Sequence, residues 1–163
     1  MSSAPFSPTS KKAVPSEPVE YAFADEEQAV ELHRFLCVFA THHPGVLKAP
    51  IDAEDSVRGV LEVLHDGFAA TARIDGHIVG SIGIITVPWW YNRSVRFMTD
   101  RWFFVYPKLH HRGIGSRLQA EAQAIATQAG MKLILQGHAK ERGNGIDYTM
   151  PALFEPGVKK GTH

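Results

Sequence analysis

The first hydrophobic positions of the chain change from a strand period to a helix period. Val19 to Phe23 alternates in the manner of a short strand. Asp25 predicts the start of a helix, because Gln28 lies three residues on and completes a capping box. The helix is expected to end near Thr41, before a proline and a glycine. Its apolar residues fall on one face at helical spacing: Ala29, Leu32, Phe35, Leu36 and Phe39.

A second helix and a hairpin are predicted next. Asp52 is the predicted cap of the helix, and Asp66-Gly67 is its predicted end. Two strands follow, Phe68 to Ile74 and His77 to Val87. Asp75-Gly76 between them is a two-residue hairpin signal. The predicted buried stripe of the helix consists of Val57, Val60, Leu61 and Leu64.

The second half of the chain predicts a strand, a helix and another strand. Pro88 to Ser94 is expected to be a loop, and Arg96 to Tyr106 a long strand. A helix from Gly115 to about Ala129 should stop at Gly130, and Met131 to Gln136 should form the next strand. This order implies a right-handed crossover between parallel neighbours. The helix residues expected to face inward are Leu118, Ala122, Ile125 and Ala129.

The ends of the chain carry weaker patterns. Residues 1–18 are rich in Ser, Pro, Ala and Lys and are expected to form a flexible tail. His138 to Asp147 is broken by glycines and is expected to form at most a short helix, and Tyr148 to Val158 an irregular segment or short strand. We therefore expect one domain over residues 19–158 and a loose C-terminus over 159–163.

Composition narrows the class of protein. A length of 163 residues suits one domain, and 17 basic residues balance 17 acidic ones. This balance gives no electrostatic case for binding nucleic acid or a membrane. No segment has the apolar length of a membrane span or a signal core, so a cytoplasmic protein is expected. The single cysteine, Cys37, excludes an internal disulfide and is expected to be a buried structural thiol without a base partner.

The histidines do not predict a metal site. His42-His43 and His110-His111 are adjacent pairs, and adjacent side chains point in different directions on a strand or a helix. No spacing typical of a zinc site appears, so we expect no metal. His42-His43 lies in the predicted loop between the first two helices, where capping or surface roles are the ordinary expectation.

The most informative stretch runs from Phe103 to Leu118. An apolar aromatic strand stops at Pro107, a basic loop follows, and Gly113 and Gly115 open a helical pattern. Glycine lets the backbone approach a ligand closely, and a helix start offers free N–H groups and the positive end of a dipole. The pattern is typical of an anion site, most often for phosphate, but it is also compatible with a plain turn.

The surrounding residues distinguish this stretch from a plain turn. It resembles the acyl-CoA signature of the GNAT superfamily of N-acetyltransferases, Q/R-x-x-G-x-G/A after a strand ending near V-x-P. Val105-Tyr106-Pro107 supplies the strand end, and His110 to Gly115 supplies the loop. His110 stands where the family has Gln or Arg. The resemblance covers roughly residues 19–136 and implies the family's α/β (α+β) fold: a mixed, mostly antiparallel sheet flanked by helices, with a splayed central strand pair.

The resemblance also implies acetyl-CoA as co-substrate and a set of residues that hold it. Backbone groups of residues 103–105 would bind the pantetheine arm, and backbone amides of residues 111–116 would bind the diphosphate. Arg112 and Arg117 would add positive charge, unless they are only solvated. The implied cofactor-binding residues are Phe103, Phe104, Val105, His110, His111, Arg112, Gly113, Ile114, Gly115 and Ser116.

Acetyl transfer to an amine needs a polarised thioester, a neutral amine and a protonated leaving thiolate. By resemblance, Asp100 is the candidate base, with Trp102 and Phe104 expected on the same face of the strand by alternation. A surface aspartate near a turn is the alternative. Tyr148 is the candidate acid, since it is the tyrosine that follows the last predicted strand.

Trp89, Trp90 and Tyr91 form the second most informative feature. Adjacent large aromatics in a hairpin loop need cover. They would pack on the domain's own helices, form a dimer contact, or build a wall of the acceptor pocket that favours an apolar or aromatic amine.

The leading hypothesis is an N-acetyltransferase in which a small-molecule or protein amine attacks acetyl-CoA directly in a ternary complex. The alternative is a catalytically weak or inactive GNAT-like module that binds CoA or acts through protein contacts. The altered position at His110 and the short C-terminal part motivate it. The short C-terminal part is also compatible with a homodimer that completes the sheet. A different nucleotide site is less well supported, because Leu118 stands where a G-x-G-x-x-G fingerprint has its last glycine.

Overall fold

The computed structural model describes residues 17–42, 50–136, 139–142 and 145–148, with side chains described for residues 17–39 and 50–136. Residues 1–16 of the predicted tail, the proline and glycine after the first helix, His43 and the chain end beyond Tyr148 lie outside these ranges. The elements are β1 (Glu20–Phe23), α1 (Ala29–His42), α2 (Ala53–Asp66), β2 (Gly67–Ile74), β3 (His77–Trp89), β4 (Asn92–Val105), α3 (Ile114–Gln128), β5 (Leu133–Ile134), β6 (Ala139–Arg142) and β7 (Gly145–Tyr148).

Within the described residues, the first five strands form one sheet in the order β1-β2-β3-β4-β5. Neighbouring strands are antiparallel except β4 and β5, which are parallel. One hydrophobic cluster joins the sheet to α3 through Ile84, Met98 and Leu118. A second cluster joins the sheet to α1 and α2 through Phe35, Val60 and Phe104. The predicted mixed α/β class is confirmed, as is the parallel pair joined by α3.

Both predicted helix starts are confirmed. A short 3₁₀ turn, Glu26–Gln28, leads into α1. The amide of Gln28 donates to Asp25 Oδ1 at 3.2 Å, and the amide of Asp25 donates to Gln28 Oε1 at 3.0 Å, so the capping box is complete. Asp52 Oδ1 accepts from the amide of Asp55 at 2.9 Å at the start of α2. These caps satisfy amides that have no intrahelical acceptor.

The two hairpins differ in how well the sequence predicted them. Asp75 and Gly76, with φ of 50° and 77°, form the predicted tight turn between β2 and β3. The predicted seven-residue loop from Pro88 to Ser94 is wrong. Pairing of β3 with β4 includes Trp89 and Asn92, which leaves only Trp90 and Tyr91 as the turn, although a register shift leaves residues 93–95 of β4 without a partner on β3. Aromatic contacts extend the pairing, since the Trp89 and Phe97 rings stack with centroids 4.3 Å apart.

Some finer predictions need correction. Val63 of α2 is fully buried although the predicted stripe omitted it, and Ala129, expected to face inward, is exposed while Ala126 is buried. Only Leu133 and Ile134 of the predicted last strand are paired. The segment expected to form at most a short helix instead contributes two antiparallel strands, β6 and β7, in a sheet of their own. Among the described residues, no helix is long and apolar enough to cross a membrane.

An ion pair ties α1 to the sheet. Both guanidinium nitrogens of Arg73 on β2 donate to the carboxylate of Glu31 on α1, at 2.5 and 2.9 Å. Arg73 also donates to the carbonyl of Gly76 at 2.8 Å, so it links the hairpin turn to the helix. The hydrogen bond from Arg73 holds the pKa of Glu31 below its ordinary value, and the same bond raises the pKa of Arg73.

We predict that Glu31→Gln destabilises the protein at pH 7 by about 0.5 kcal/mol, the size expected for a partly exposed pair. The Glu31 side chain is 45% exposed, so solvent screens the interaction. Because the folded pKa is depressed, the contribution is present above the unfolded pKa and is lost as pH falls through the folded pKa. Urea unfolding at pH 7 and near pH 3 measures the difference, which should be smaller at the acidic pH.

The matched control for this variant is Glu62→Gln, which changes an exposed glutamate on α2. It should leave stability unchanged at both pH values. An equal loss in both variants would mean that the Arg73 pair contributes nothing beyond a general charge effect.

Candidate active site

A one-residue bulge in β4 sets which side chains face each side of the sheet. Gly83 pairs with Trp102, but the next residue, Ile84, pairs with Asp100, so Arg101 is the extra residue. Paired residues share a face and neighbours along a strand alternate. Asp100 therefore lies on the face of Ile84, which packs toward α3, and Trp102 lies on the opposite face. The expectation that Asp100 shares a face with Trp102 and Phe104 is wrong, because the bulge reverses the alternation.

Trp102 is fixed against β3 just beyond the bulge. Its indole N–H donates to Ser81 Oγ at 3.0 Å, and Ser81 is fully buried. A Cβ on Gly83 would come within 2.3 Å of the indole ring, so only glycine leaves room for it. The half-buried ring thus packs flat on the backbone of β3, on the side of the sheet that faces α1 and α2.

Asp100 is a buried carboxylate rather than a surface aspartate. It is 7% exposed, and its Oδ1 accepts from the backbone amide of Gln136 at 2.5 Å. The parallel ladder between β4 and β5 ends immediately before this contact, with Thr99 paired to Ile134. Asp100 therefore lies at the point where the paired part of the two strands stops.

The backbone of β4 beyond Asp100 has one side toward β3 and one side toward β5. The amide of Tyr106 donates to the carbonyl of Val79 on β3 at 3.0 Å. By strand alternation, the amide and carbonyl of Phe104 also face β3, while those of Phe103 and Val105 face the other way. The carbonyl of Val105 accepts from His110 Nε2 at 2.9 Å, which requires that Nε2 carry the proton. His110 thus fixes the loop to the end of the strand.

The loop after β4 is a 3₁₀ helix, Pro107–Arg112, that ends at Gly113. Gly113 has a left-handed conformation with φ of 71° and is also the N-cap of α3. In a 3₁₀ helix each later amide donates three residues back, so the amides of His111 and Arg112 serve the loop itself. The first intrahelical bond of α3 runs from Arg117 to the carbonyl of Gly113. The amides of the first turn of α3 that lack an intrahelical acceptor are therefore those of Ile114, Gly115 and Ser116.

The two glycines leave space at this helix start. A Cβ on Gly113 would meet nothing within 4 Å, and a Cβ on Gly115 would lie 3.6 Å from the Phe103 ring, an ordinary contact. The positive φ explains Gly113. Neither close packing nor a positive φ requires a glycine at position 115. A side chain there would occupy space that is open to a ligand. The first turn of α3, with its dipole and open backbone, fits an anion such as a diphosphate.

The predicted arginines have partners within the chain. Arg112 donates to the carbonyl of Glu17 at 2.5 Å. Arg117 pairs with Glu121 at 2.9 Å, and its guanidinium lies over the Tyr21 ring, 5.2 Å from the centroid. Both arginines therefore link the loop and α3 to the N-terminal segment. Their charge remains near the start of α3, but their contacts are structural.

The predicted acceptor residues at the hairpin tip lie away from Asp100. Trp90 and Tyr91 are 86% and 66% exposed at the hairpin tip. On the paired strand β3, five residue steps from Ile84, opposite Asp100, to Trp89, opposite Asn92, separate them from the bulge by about 17 Å at roughly 3.3 Å per residue. Tyr148 ends β7, where it pairs with Ala139, and its side chain is outside the described part, as are those of His42 and His43.

Sequence reasoning missed a partner of Cys37. Its Sγ lies 3.3 Å from His33 Nε2, which is also 2.6 Å from Ser56 Oγ on α2. The expectation of a buried thiol without a base partner is therefore wrong, because Cys37 is only half-buried and contacts an imidazole. The signal was present, since residues four apart on a helix are neighbours. The group lies between α1 and α2.

Comparisons with known proteins agree with this geometry. The model of the Acetyltransferase (GNAT) family matches residues 39–144, more than half of the chain. No curated protein sequence matches the chain significantly.

Solved structures show the same fold at low identity. A ribosomal-protein-alanine N-acetyltransferase from Brucella melitensis biovar Abortus 2308 is 22% identical, with 72% of this chain and 78% of that chain covered and a TM-score of 0.55. An acetyltransferase from Clostridium acetobutylicum with acetyl-CoA is 15% identical, with 90% of each chain covered and a TM-score of 0.58. An aminoglycoside acetyltransferase from an uncultured soil metagenomic sample, in complex with sisomicin, is 14% identical, with 81% and 96% covered and a TM-score of 0.58.

We predict that Gly115→Glu abolishes binding of coenzyme A, because the carboxylate would occupy the anion site at the start of α3. The fold should survive, since the new Cβ makes only an ordinary contact with Phe103. Isothermal titration calorimetry measures the affinity, and thermal unfolding confirms the fold.

Gly59→Glu is the matched control, because it makes the same change on α2 where a Cβ meets nothing within 4 Å. It should bind like the wild type. Normal binding by Gly115→Glu would place the ligand elsewhere on the molecule.

Proposed function

We propose that this chain, which belongs to the GNAT family of acetyltransferases, transfers an acetyl group from acetyl-CoA to a primary amine. The observation that carries the proposal is the combination of a β4–β5 ladder that ends at Thr99 and an open helix start at Gly113 to Ser116. The first leaves room for an extended ligand beside β4, and the second fits its diphosphate. A related fold has been solved with acetyl-CoA, which supports the same co-substrate here.

The residues present fit such a ligand. The amides of Ile114, Gly115 and Ser116 would bind the diphosphate, and the Ser116 hydroxyl adds a donor. Val105 faces the open side of β4, so its amide is suited to the pantetheine arm, while its carbonyl is taken by His110. Phe103 flanks the space beside Gly115. Of the other predicted cofactor residues, His110, His111, Arg112 and Gly113 belong to the loop that shapes this site, whereas the backbone groups of Phe104 on β4 face β3.

When bound, acetyl-CoA supplies an activated thioester. The chain must polarise its carbonyl, admit the amine as the neutral base and protonate the departing thiolate. The bulge at Arg101 lies next to the end of the β4–β5 ladder, and a β4 amide that faces the open side is suited to the carbonyl oxygen. Tyr148 remains our proposed acid, since a phenol can protonate a thiolate.

A binding module is the second candidate, and a specific observation favours it. His110 replaces the family's Gln or Arg and is bonded to the chain's own strand end. The exposed aromatic tip at Trp90 and Tyr91 is suited to protein contact or to a second copy of the chain. Neighbours of the same fold are named for a protein and for an aminoglycoside substrate, so the acceptor is a small-molecule or a protein amine.

Ligand-induced stabilisation and turnover separate the two candidates. Acetyl-CoA at a hundredfold excess over its dissociation constant should stabilise the protein by about 2.7 kcal/mol. Release of free CoA with a panel of small amines and peptide amines then measures turnover. Stabilisation without CoA release across the panel would favour the CoA-binding module, and no stabilisation would contradict the transferase and leave only a module that acts through protein contacts.

We predict that Cys37→Ala keeps CoA release within about twofold of the wild type, because direct attack by the amine needs no enzyme nucleophile. The contact between Cys37 and His33 makes this test necessary. Mass spectrometry after mixing with acetyl-CoA alone should find no acetylated enzyme. Loss of turnover in Cys37→Ala with intact acetyl-CoA binding would indicate an acyl-enzyme instead.

A further inference from the structure

The hydrogen bond between Asp100 and Gln136 replaces a bond of the sheet. The amide of Met98 donates to the carbonyl of Lys132 at 2.9 Å, and the register continues to Thr99 and Ile134. If the parallel ladder continued in this register, the amide of Gln136 would donate to the main-chain carbonyl of Asp100. It donates instead to the side-chain Oδ1 of the same residue.

The bond to the side chain, in place of a ladder bond, separates β4 from the segment that follows β5. Oδ1 is one bond farther from Cα than the main-chain oxygen, so the strands cannot keep the ladder spacing where the side chain lies between them. The ladder ends there, and Leu135 and Gln136 are no longer strand residues. The bond lies in a buried position, where a backbone amide donates to the side-chain oxygen of Asp100.

We propose that Asp100 is a positioning residue whose carboxylate ends the β4–β5 ladder and holds the two strands apart for the pantetheine arm. This inference rests on the proposed function, because the opening matters only if acetyl-CoA enters it. It assigns Asp100 a role through Gln136 and removes it as the base of the reaction.

The position of Asp100 agrees with this role better than with that of a base. The bulge places it on the face of Ile84 and Met98, in the cluster that packs against α3. Trp102 occupies the opposite face. A base must reach the attacking amine within hydrogen-bond distance, whereas this carboxylate is engaged with the backbone of the neighbouring strand.

Two substitutions at Asp100 distinguish the roles. Asp100→Asn keeps an oxygen that can accept from Gln136 but cannot take a proton from an amine. It should keep kcat within about threefold and leave the acidic limb of the pH profile of kcat/KM unchanged. Asp100→Ala removes the acceptor and should weaken acetyl-CoA binding by roughly tenfold, the effect of losing one hydrogen bond to a charged group. A general base would instead cost about a hundredfold or more in kcat in both variants.

The partner strand offers an independent test. Gln136→Pro removes the backbone amide without changing the carboxylate, and Gln136→Ala, which keeps the amide, is its matched control. Gln136→Pro should weaken acetyl-CoA binding as Asp100→Ala does, and the double variant should lose no more than either single one. Gln136→Ala should bind normally.

Amide exchange separates failure of this inference from failure of the proposed function. Hydrogen exchange at Gln136, followed by NMR without ligand, should be slow in the wild type and Asp100→Asn and fast in Asp100→Ala. Thermal unfolding and circular dichroism confirm that each variant is folded.

If wild-type protein binds no acetyl-CoA, the proposed function fails. If it does bind, and Asp100→Ala loses protection at Gln136 but binds acetyl-CoA normally, the positioning role is overturned. Equal loss of kcat in Asp100→Asn and Asp100→Ala also overturns it.

Discussion

The bulge at Arg101 is the constraint on which the rest of the site depends. It reverses the alternation of side chains along β4. Before the bulge, Met98 and Asp100 face α3. After the bulge, Trp102 and Phe104 face α1 and α2. Without it, the Asp100 carboxylate would lie among the aromatic residues under α1. A buried carboxylate needs donors, and the amide of Gln136 at the end of β5 supplies one.

The anion site at the start of α3 depends on how closely that helix approaches the sheet. A Cβ on Gly80 would come within 3.1 Å of Ile114 and Val105, so glycine on β3 allows the first turn of α3 to lie against the end of β4. Ile114 and Leu118 are fully buried in that contact. The helix start is therefore positioned by packing, and the dipole and open amides are available where β4 ends. The hydrogen bond from His110 to Val105 fixes the loop between the two elements.

The sequence predicted best what short segments determine by themselves. The capping box at Asp25, the cap at Asp52 and the Asp75-Gly76 turn each depend on residues within one turn. The bulge at Arg101 has no such signal, because it follows from the pairing of β4 with β3 and no glycine or proline marks it. The ladder end at Thr99 depends on a contact between residues 36 positions apart. The sequence pattern predicts a loop at the aromatic hairpin, yet stacking of Trp89 on Phe97 draws residues of that loop into the strands.

The two halves of the proposed site differ in what determines them. The cofactor half uses backbone amides of one strand–loop–helix segment, and such groups are available whatever side chains surround them, so a glycine pattern is enough to predict it. The acceptor half must use side chains from separate elements, and their meeting depends on register and on loop length. The aromatic tip shows the consequence, because its composition suits a pocket wall while the pairing of β4 with β3 places it about 17 Å from the bulge at roughly 3.3 Å per residue. Within one copy of the chain, the acceptor should therefore be sought near Trp102 and the α1–α2 side of the sheet, where the bulge directs the side chains.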